Sequence, residues 1–526
     1  MKAPEPTRRP DIPLRPPSCA RSRAEPLVRR SRGGHRASLA NLITLTALAL
    51  GVRLYGLSDK PLWLDEIITH GRSNRPIWDL ITNSFSNSHF PTYFVLIRAF
   101  DPPIIDEWMV RLPSAFLGAS AVFLVVLIAT EVRNARAGLV AGLLMALSPF
   151  EVQFSQEARP YTLVSCLVLL ALWGLVRIAQ EATSPALSSD RQRRGLGGWS
   201  AYLIGTIGAL NVQLVSIPWL LASNMAMRAI IHRAGPNQIQ LIRNWKVTQV
   251  IVLLAWAPGL VSMSLLAHED PLRGFHWFPA ATLQHIWSVF SAVYLFRISD
   301  TTTLELLPTL VPGFGFAIAA LALSGAWRLN TNGALLSILG LTLLSLPASI
   351  LLISIFHVIL VPRYFIWSTG PFLVLAGIGA AALPFRLFPL MVTTIVVAGL
   401  TNLAPYYRYE TKPRWDLATA YLAANVQAGD IVVTNSPMAH YVLAKYGERY
   451  RLDRSILKMA SHISDLIQYG PEGRVWVIYG RTGQGITHPE ESYLQNWLAL
   501  GTPTSERRFG RHVMVLRFAP IAEAIY

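Results

Sequence analysis

Apolar runs of about 18–24 residues recur along this chain, each long enough to cross a hydrocarbon core about 30 Å thick. That feature limits the fold more than any other. The composition agrees: 52% of the residues are hydrophobic and only 14% are charged, against about 25% charged in ordinary globular proteins. The 526 residues therefore read as an all-α polytopic membrane protein, not as a string of soluble domains. The formal net charge of +16 could suggest nucleic acid, but the basic residues are concentrated in the N-terminal tail and in short loops. That pattern fits membrane topology and anionic lipid headgroups, so membrane lipid is an expected partner and nucleic acid is not. The two cysteines, Cys19 in the tail and Cys166 in an apolar run, imply neither a disulfide framework nor a metal-spaced set.

Residues 1–38, rich in Arg, Pro and Ser, read as a disordered basic cytoplasmic tail. A first span at 39–56 has a basic flank and no convincing cleavage site, which makes it an uncleaved signal anchor. With the tail inside, residues 57–110 form a long outer loop. Its apolar segment 88–97 is too short to span and reads as a helix lying along the membrane surface. Further spans fit at 111–130, 136–150 and 160–178, followed by a hairpin of two within 199–231 that bends near Asn211-Val212-Gln213. After a span at 247–267 comes a second outer loop, 268–302, and then spans at 304–326, 334–356, 363–383 and 387–405. These make about 11 transmembrane helices across 39–405, with positive residues at each inner loop.

From 406 to 526 the composition turns mixed polar. A helix over 415–425, strands at 430–434 and 475–479, and a helix near 438–446 suggest a small C-terminal α/β extracytoplasmic domain. It contains no glycine-rich phosphate loop.

Three clusters place charge at the outer face, where the membrane makes charge expensive and hence functional by default. They are Asp65-Glu66, Gln156-Glu157-Ala158-Arg159 and Pro362-Arg363-Tyr364. Two acids and two arginines facing a common cavity suit a ligand with a phosphate for the arginines and a hydroxyl or amine that a carboxylate can deprotonate. The bland alternatives are a solvated loop pair or helix cap for the acids and interfacial snorkelling for the arginines. Arg111 could serve either way. The histidines His89, His268, His276 and His357 fall on the same side, but none sits in an HxxxH or HxxE spacing, so ordinary interfacial histidines are the better reading. No cofactor is assigned; whether a divalent metal is needed stays open.

A family resemblance lies in the ordered set LWLDEIITH, HFPTYFVLIRAF, RLPSAFLG, ALSPFEVQFSQEARPYTL and PRYFIWSTGPFLVLAG. The set, which covers most of residues 50–450, resembles the family 39 and ArnT-like glycosyltransferases of the GT-C superfamily. The tail segment RWDLATAYLAANVQAGDIVVTNSP is similar to the soluble end of bacterial members. The resemblance implies a GT-C fold in the cell membrane, N-terminus cytoplasmic, that moves a sugar from a polyprenyl-phosphate donor to an acceptor on the extracytoplasmic face. It implies Asp65 as catalytic base or acceptor-binding carboxylate with Glu66 as its companion, and Arg159 and Arg363 at the donor phosphate, for which Arg111 is a further candidate. His89, Tyr93, Glu157, Tyr161 and Tyr364 would line the substrate cavity. Many relatives carry His-Pro-Pro or Lys-Pro-Pro where this chain has His89-Phe90-Pro91, so no more specific role passes to His89. A polyprenyl-lipid transporter or flippase is the competing expectation. It too would place charge at membrane depth, but it would leave the glycosyl bond intact.

Overall fold

The computed structural model describes residues 32–182, 189–266, 281–301, 303–434, 436–460, 473–480, 497–498 and 501–520. The expected tail up to residue 31 and the outer-loop segments His268-Glu269-Asp270 and Phe275-His276-Trp277-Phe278 lie outside the described residues.

The apolar runs fold as helices. α1 (Arg32–Leu54) leads into three short helices, α2 (Leu64–Ser73), α3 (Ile77–Ser86) and α4 (Thr92–Arg98). Next come α5 (Glu107–Val132), α6 (Ala135–Ala146), α7 (Pro149–Ser155), α8 (Tyr161–Ala182), α9 (Ser189–Leu210), α10 (Ile217–Ile231) and α11 (Gln238–Leu266). α12 (Leu283–Tyr294), α13 (Phe314–Arg328), α14 (Gly333–Ser354), α15 (Thr369–Ala380) and α16 (Phe388–Arg408) complete the helical part.

Among the described residues, six helical segments are long and apolar enough to cross a membrane: α5, α8, α10 with its lead-in turn, α11, α14 and α16. A seventh is gained if α6 and α7, bent by 60° at their junction, count as one span, and Leu39–Leu54 and Phe314–Arg328 are shorter apolar helices. This is a multi-pass membrane protein, with fewer full-length spans than the eleven segments expected. The shortfall has local causes. Pro149 cannot continue α6, because it lacks an N–H and its ring opposes the preceding turn. Ser148 then caps a new helix by accepting from the Glu151 N–H at 3.4 Å. The segment expected at 363–383 splits into a 3₁₀ turn, Pro362–Ser368, and the 12-residue α15. By contrast α11 and α14 run straight through Pro258 and Pro347.

Small residues set the helix spacing. A Cβ on Gly325 of α13 would lie 1.9 Å from the Leu375 carbonyl oxygen, and one on Gly379 of α15 would lie 2.0 Å from the Leu321 carbonyl oxygen. Backbones this close need glycine, as is common where apolar helices pack without a hydrophobic driving force.

The C-terminal part alternates helix and strand. α17 (Trp415–Asn425), β1 (Ile431–Thr434), α18 (Pro437–Tyr450), β2 (Leu457–Met459), β3 (Val475–Gly480), β4 (Ser505–Phe509) and β5 (Val513–Phe518) build a five-stranded sheet in the order β2-β1-β3-β5-β4. β1 pairs parallel with β2 and β3, while β5 runs antiparallel to β3 and β4. α18 ties this unit to the helical part. Tyr446 Oη accepts from the Leu62 N–H at 2.7 Å, and Arg449 donates to both Glu107 oxygens at 2.8 Å. Tyr441 packs so closely on Gly71 that a Cβ there would meet its hydroxyl at 1.8 Å. The α/β unit therefore abuts α2, the helix that carries Asp65 and Glu66.

Candidate active site

α2 begins at Leu64, so Asp65 and Glu66 both lie in its first turn, where carboxylates meet the positive end of the helix dipole. Adjacent helical residues point about 100° apart, and here that rotation separates two environments. Glu66 turns into the protein and is fully buried. It accepts from Arg111 Nε at 2.7 Å and Nη2 at 2.8 Å, from Lys412 Nζ at 2.8 Å and from the Ala158 N–H at 2.9 Å. Burial alone would raise its carboxyl pKa, but the charges and hydrogen bonds of Arg111 and Lys412 outweigh that and hold it well below the usual range.

Arg111 is equally committed. Beyond Glu66 it donates to the carbonyls of Leu57 (2.9 Å), Lys60 (2.7 Å) and Pro61 (2.8 Å). These two expectations are corrected. Glu66 and Arg111 are a satisfied buried pair that fixes the start of α2, with no lone pair or donor left over for a substrate.

Asp65 faces the other way. Its side chain is 21% exposed, with Arg159 Nη2 at 3.6 Å and Arg363 Nη1 at 3.7 Å from Oδ2. Both distances exceed hydrogen-bond reach, and among the described residues nothing hydrogen-bonds to this carboxylate. Its lone pairs are open. Arg159 follows the 3.1 Å turn of Gln156 onto Gln153 at the end of α7. It donates from Nη1 to the Asp65 carbonyl at 3.3 Å and to Thr69 Oγ1 at 3.4 Å. Burial would lower its pKa, yet Tyr161 and Asp65 raise it on balance, so it stays cationic. Arg363 enters from the 3₁₀ turn and lies over the Trp63 and Tyr364 rings at 5.6 and 5.5 Å. The three segments singled out in the sequence thus meet.

Other expected site residues divide. Tyr161 is buried beneath Arg159, whose Cζ is 5.8 Å from the ring centroid, and Tyr364 is half-buried beside Arg363. Tyr93 is a packing residue, because its hydroxyl is buried against Ser114 Oγ at 2.9 Å; this corrects its placement on a substrate surface. His89 is exposed, and its Nδ1–H donates to the Asn87 carbonyl at 2.5 Å. Glu157 is fully buried, lies 4.0 Å from Lys412 Nζ, and receives no hydrogen bond on either oxygen from the described residues. Burial and the nearby Glu66 push its carboxyl up to about 7, against the opposing charges of Lys412, Arg363 and Arg111.

Lys412 was missed in the sequence, since it lies past the last span, at the start of the segment read as the C-terminal α/β domain. A Lys three residues ahead of a helical tail carries no signal of its own. Arg72 was missed too, although its spacing from Asp65, two turns along one helix, could have flagged it. Among the described residues no group of three or more His, Cys, Asp or Glu side chains is placed to hold a metal ion.

A family model described as dolichyl-phosphate-mannose-protein mannosyltransferase matches residues 104–234, which include Glu157 and Arg159. No curated protein sequence matches the chain. Among solved structures, ArnT from Cupriavidus metallidurans in the apo state superposes with a TM-score of 0.55 at 15% identity, covering 91% of this chain and 98% of that one. The same protein bound to undecaprenyl phosphate gives 0.51 at 14% identity, covering 90% and 97%. The oligosaccharyltransferase of Archaeoglobus fulgidus tethered with an acceptor peptide gives 0.50 at 11% identity, covering 84% and 69%.

The chain has the GT-C fold. Within a GT-C fold, α2 and the α7–α8 connection bring Asp65 and Arg159 together, and the 3₁₀ turn before α15 adds Arg363. Sequence identities this low show the architecture alone, so the chemistry must be argued from these side chains.

Proposed function

We propose that the protein is a membrane glycosyltransferase that moves a sugar from a polyprenyl-phosphate donor to an acceptor on the extracytoplasmic face, with Asp65 as general base. The observation that carries this reading is the unbonded, partly exposed Asp65 carboxylate flanked by Arg159 and Arg363 at 3.6 and 3.7 Å. Asp65 takes the proton from the acceptor hydroxyl or amine as that atom forms a bond to the anomeric carbon. The bond from that carbon to the phosphate oxygen breaks, and its electron pair leaves with the polyprenyl phosphate. Arg159 and Arg363 meet the charge that grows on the phosphate, and fixed cations that need no reorganisation are effective at this task. A single inverting displacement is the mechanism the family resemblance implies. The buried Glu66–Arg111–Lys412 group holds α2 and so aims Asp65. Binding of undecaprenyl phosphate to the ArnT neighbour supports a lipid-phosphate donor, and so does the absence of a nucleotide loop.

The test is release of labelled sugar from a polyprenyl-phosphate-sugar by the purified full-length protein. Asp65→Asn should lower transfer by at least about 10²-fold, the usual worth of a positioned base. Retained turnover in that variant would remove Asp65 from the mechanism. Movement of the lipid with its glycosyl bond intact would favour a flippase.

A further inference from the structure

Beyond the donor site, α2 carries a third cation whose charge none of the described residues pairs. Arg72 is 7% exposed, and among the described residues its guanidinium makes no hydrogen bond and no ion pair. Its Cζ lies over the face of Phe94, 4.6 Å from the ring centroid. An aromatic face recovers only part of what a guanidinium loses on leaving water, and among the described residues none of its five donors meets a protein acceptor.

Its position gives the idle charge a direction. Asp65, Thr69 and Arg72 are spaced i, i+4, i+7 on α2 and so share one face of that helix. Arg159 lies along the same face, since it donates to both the Asp65 carbonyl and Thr69 Oγ1. On the far side, the exposed His89 ring is 6.3 Å from the Phe94 ring that Arg72 covers. Arg72 therefore continues the surface that begins at Asp65, one turn beyond the reach of Arg159.

Counting charges separates this cation from the donor. A prenyl phosphate esterified to a sugar is a phosphodiester with one negative charge. That charge and Asp65 together balance Arg159 and Arg363, which leaves Arg72 in surplus. We infer that Arg72, with His89 beside it, binds an oxyanion on the acceptor, a phosphate or a carboxylate, and so selects an anionic acceptor. The inference rests on the proposed transferase reading and specifies its acceptor side. Seven residues at 1.5 Å each put the oxyanion on the order of 10 Å along α2 from the base, a distance that linked sugar rings or a short linker covers.

The experiment uses the full-length protein in phosphatidylcholine nanodiscs with undecaprenyl phosphate already bound. It is titrated calorimetrically with glucose 6-phosphate as a soluble anionic probe and with glucose as its uncharged counterpart. The wild type should prefer the phosphorylated sugar by at least about tenfold, the scale of one charge-assisted contact. Arg72→Gln should abolish the preference and Arg72→Lys should keep part of it, while undecaprenyl phosphate affinity stays within about twofold in both. Arg159→Gln should instead weaken undecaprenyl phosphate.

A repeat with phosphatidic acid in the discs identifies the source of the anion. Loss of sugar-phosphate binding there points to a lipid headgroup, and unchanged binding points to a soluble or glycan-borne group. Equal binding of both sugars by a wild type filled with undecaprenyl phosphate would overturn the inference and leave the donor reading standing. Loss of undecaprenyl phosphate in Arg72→Gln as severe as in Arg159→Gln would also overturn it, by assigning Arg72 to the donor. A wild type that binds no undecaprenyl phosphate would overturn the donor reading itself.

Discussion

Two neighbouring carboxylates with opposite jobs make the sharpest prediction. Glu66→Gln keeps the shape of the side chain and removes its charge, leaving Arg111 and Lys412 buried without a carboxylate between them. Arg111 is 1% exposed and Lys412 2%, so water cannot replace what is lost. Removing one member of a buried ion pair costs about 3–5 kcal/mol. The lower half of that range applies here, because Glu157 lies 4.0 Å from Lys412 and can take up part of its charge. At roughly 2 °C per kcal/mol for a large domain, the melting temperature should fall by about 6 °C or more. Asp65→Asn loses no hydrogen bond and should melt within about 1 °C of wild type, as substitutions away from buried networks generally do. The assay is thermal unfolding in detergent followed by tryptophan fluorescence, with both variants measured beside their turnover. Asp65→Asn should be stable and inactive, and Glu66→Gln unstable with activity surviving in proportion to folded protein. A Glu66→Gln protein that melts like wild type yet turns nothing over would refute the structural assignment and return Glu66 to the chemistry.

The Glu157 carboxyl, pushed up to about 7 from 4.5, is protonated in the folded state over a range where the unfolded chain is ionised. The stability this group contributes is therefore full below pH 4.5 and falls as pH rises to about 7, by about 3 kcal/mol in all at 1.36 kcal/mol per unit. Glu157→Gln should flatten that part of a melting-temperature profile, and an unchanged slope would show that Glu157 does not titrate there. Gly325→Ala and Gly379→Ala each drive a methyl into a carbonyl of the facing helix and should destabilise by about 1–3 kcal/mol. A thermal melt that finds either variant neutral would mean that α13 and α15 can slide apart freely.

The helical part of the fold was readable because length and hydropathy are nearly sufficient in a bilayer. The hairpin expected to turn near residues 211–213 does so between Leu210 and Ile217, and the helix expected at 415–425 is α17. Counting spans was harder, since proline acts through its neighbours. Pro149 breaks a helix because Ser148 is there to cap the next one, whereas Pro258 and Pro347 stay inside long helices. Composition registers each of them as one interruption.

The candidate site was legible as a set of segments and illegible as a set of roles. Charge in an apolar chain marks where function or ion pairing must lie, and the segments around Asp65, Arg159 and Arg363 do converge. Which charge is paired is decided by rotation about a helix axis and by partners hundreds of residues away, neither of which a local pattern contains. Lys412 is 346 residues from Glu66 in the chain and 2.8 Å from it in space. That contact, with Arg111, occupies Glu66 and leaves Asp65 as the carboxylate of the two that accepts no hydrogen bond from the described residues. The same logic singles out Arg72, a largely buried cation with no hydrogen bond or ion pair among the described residues, which fits a partner that arrives with the substrate.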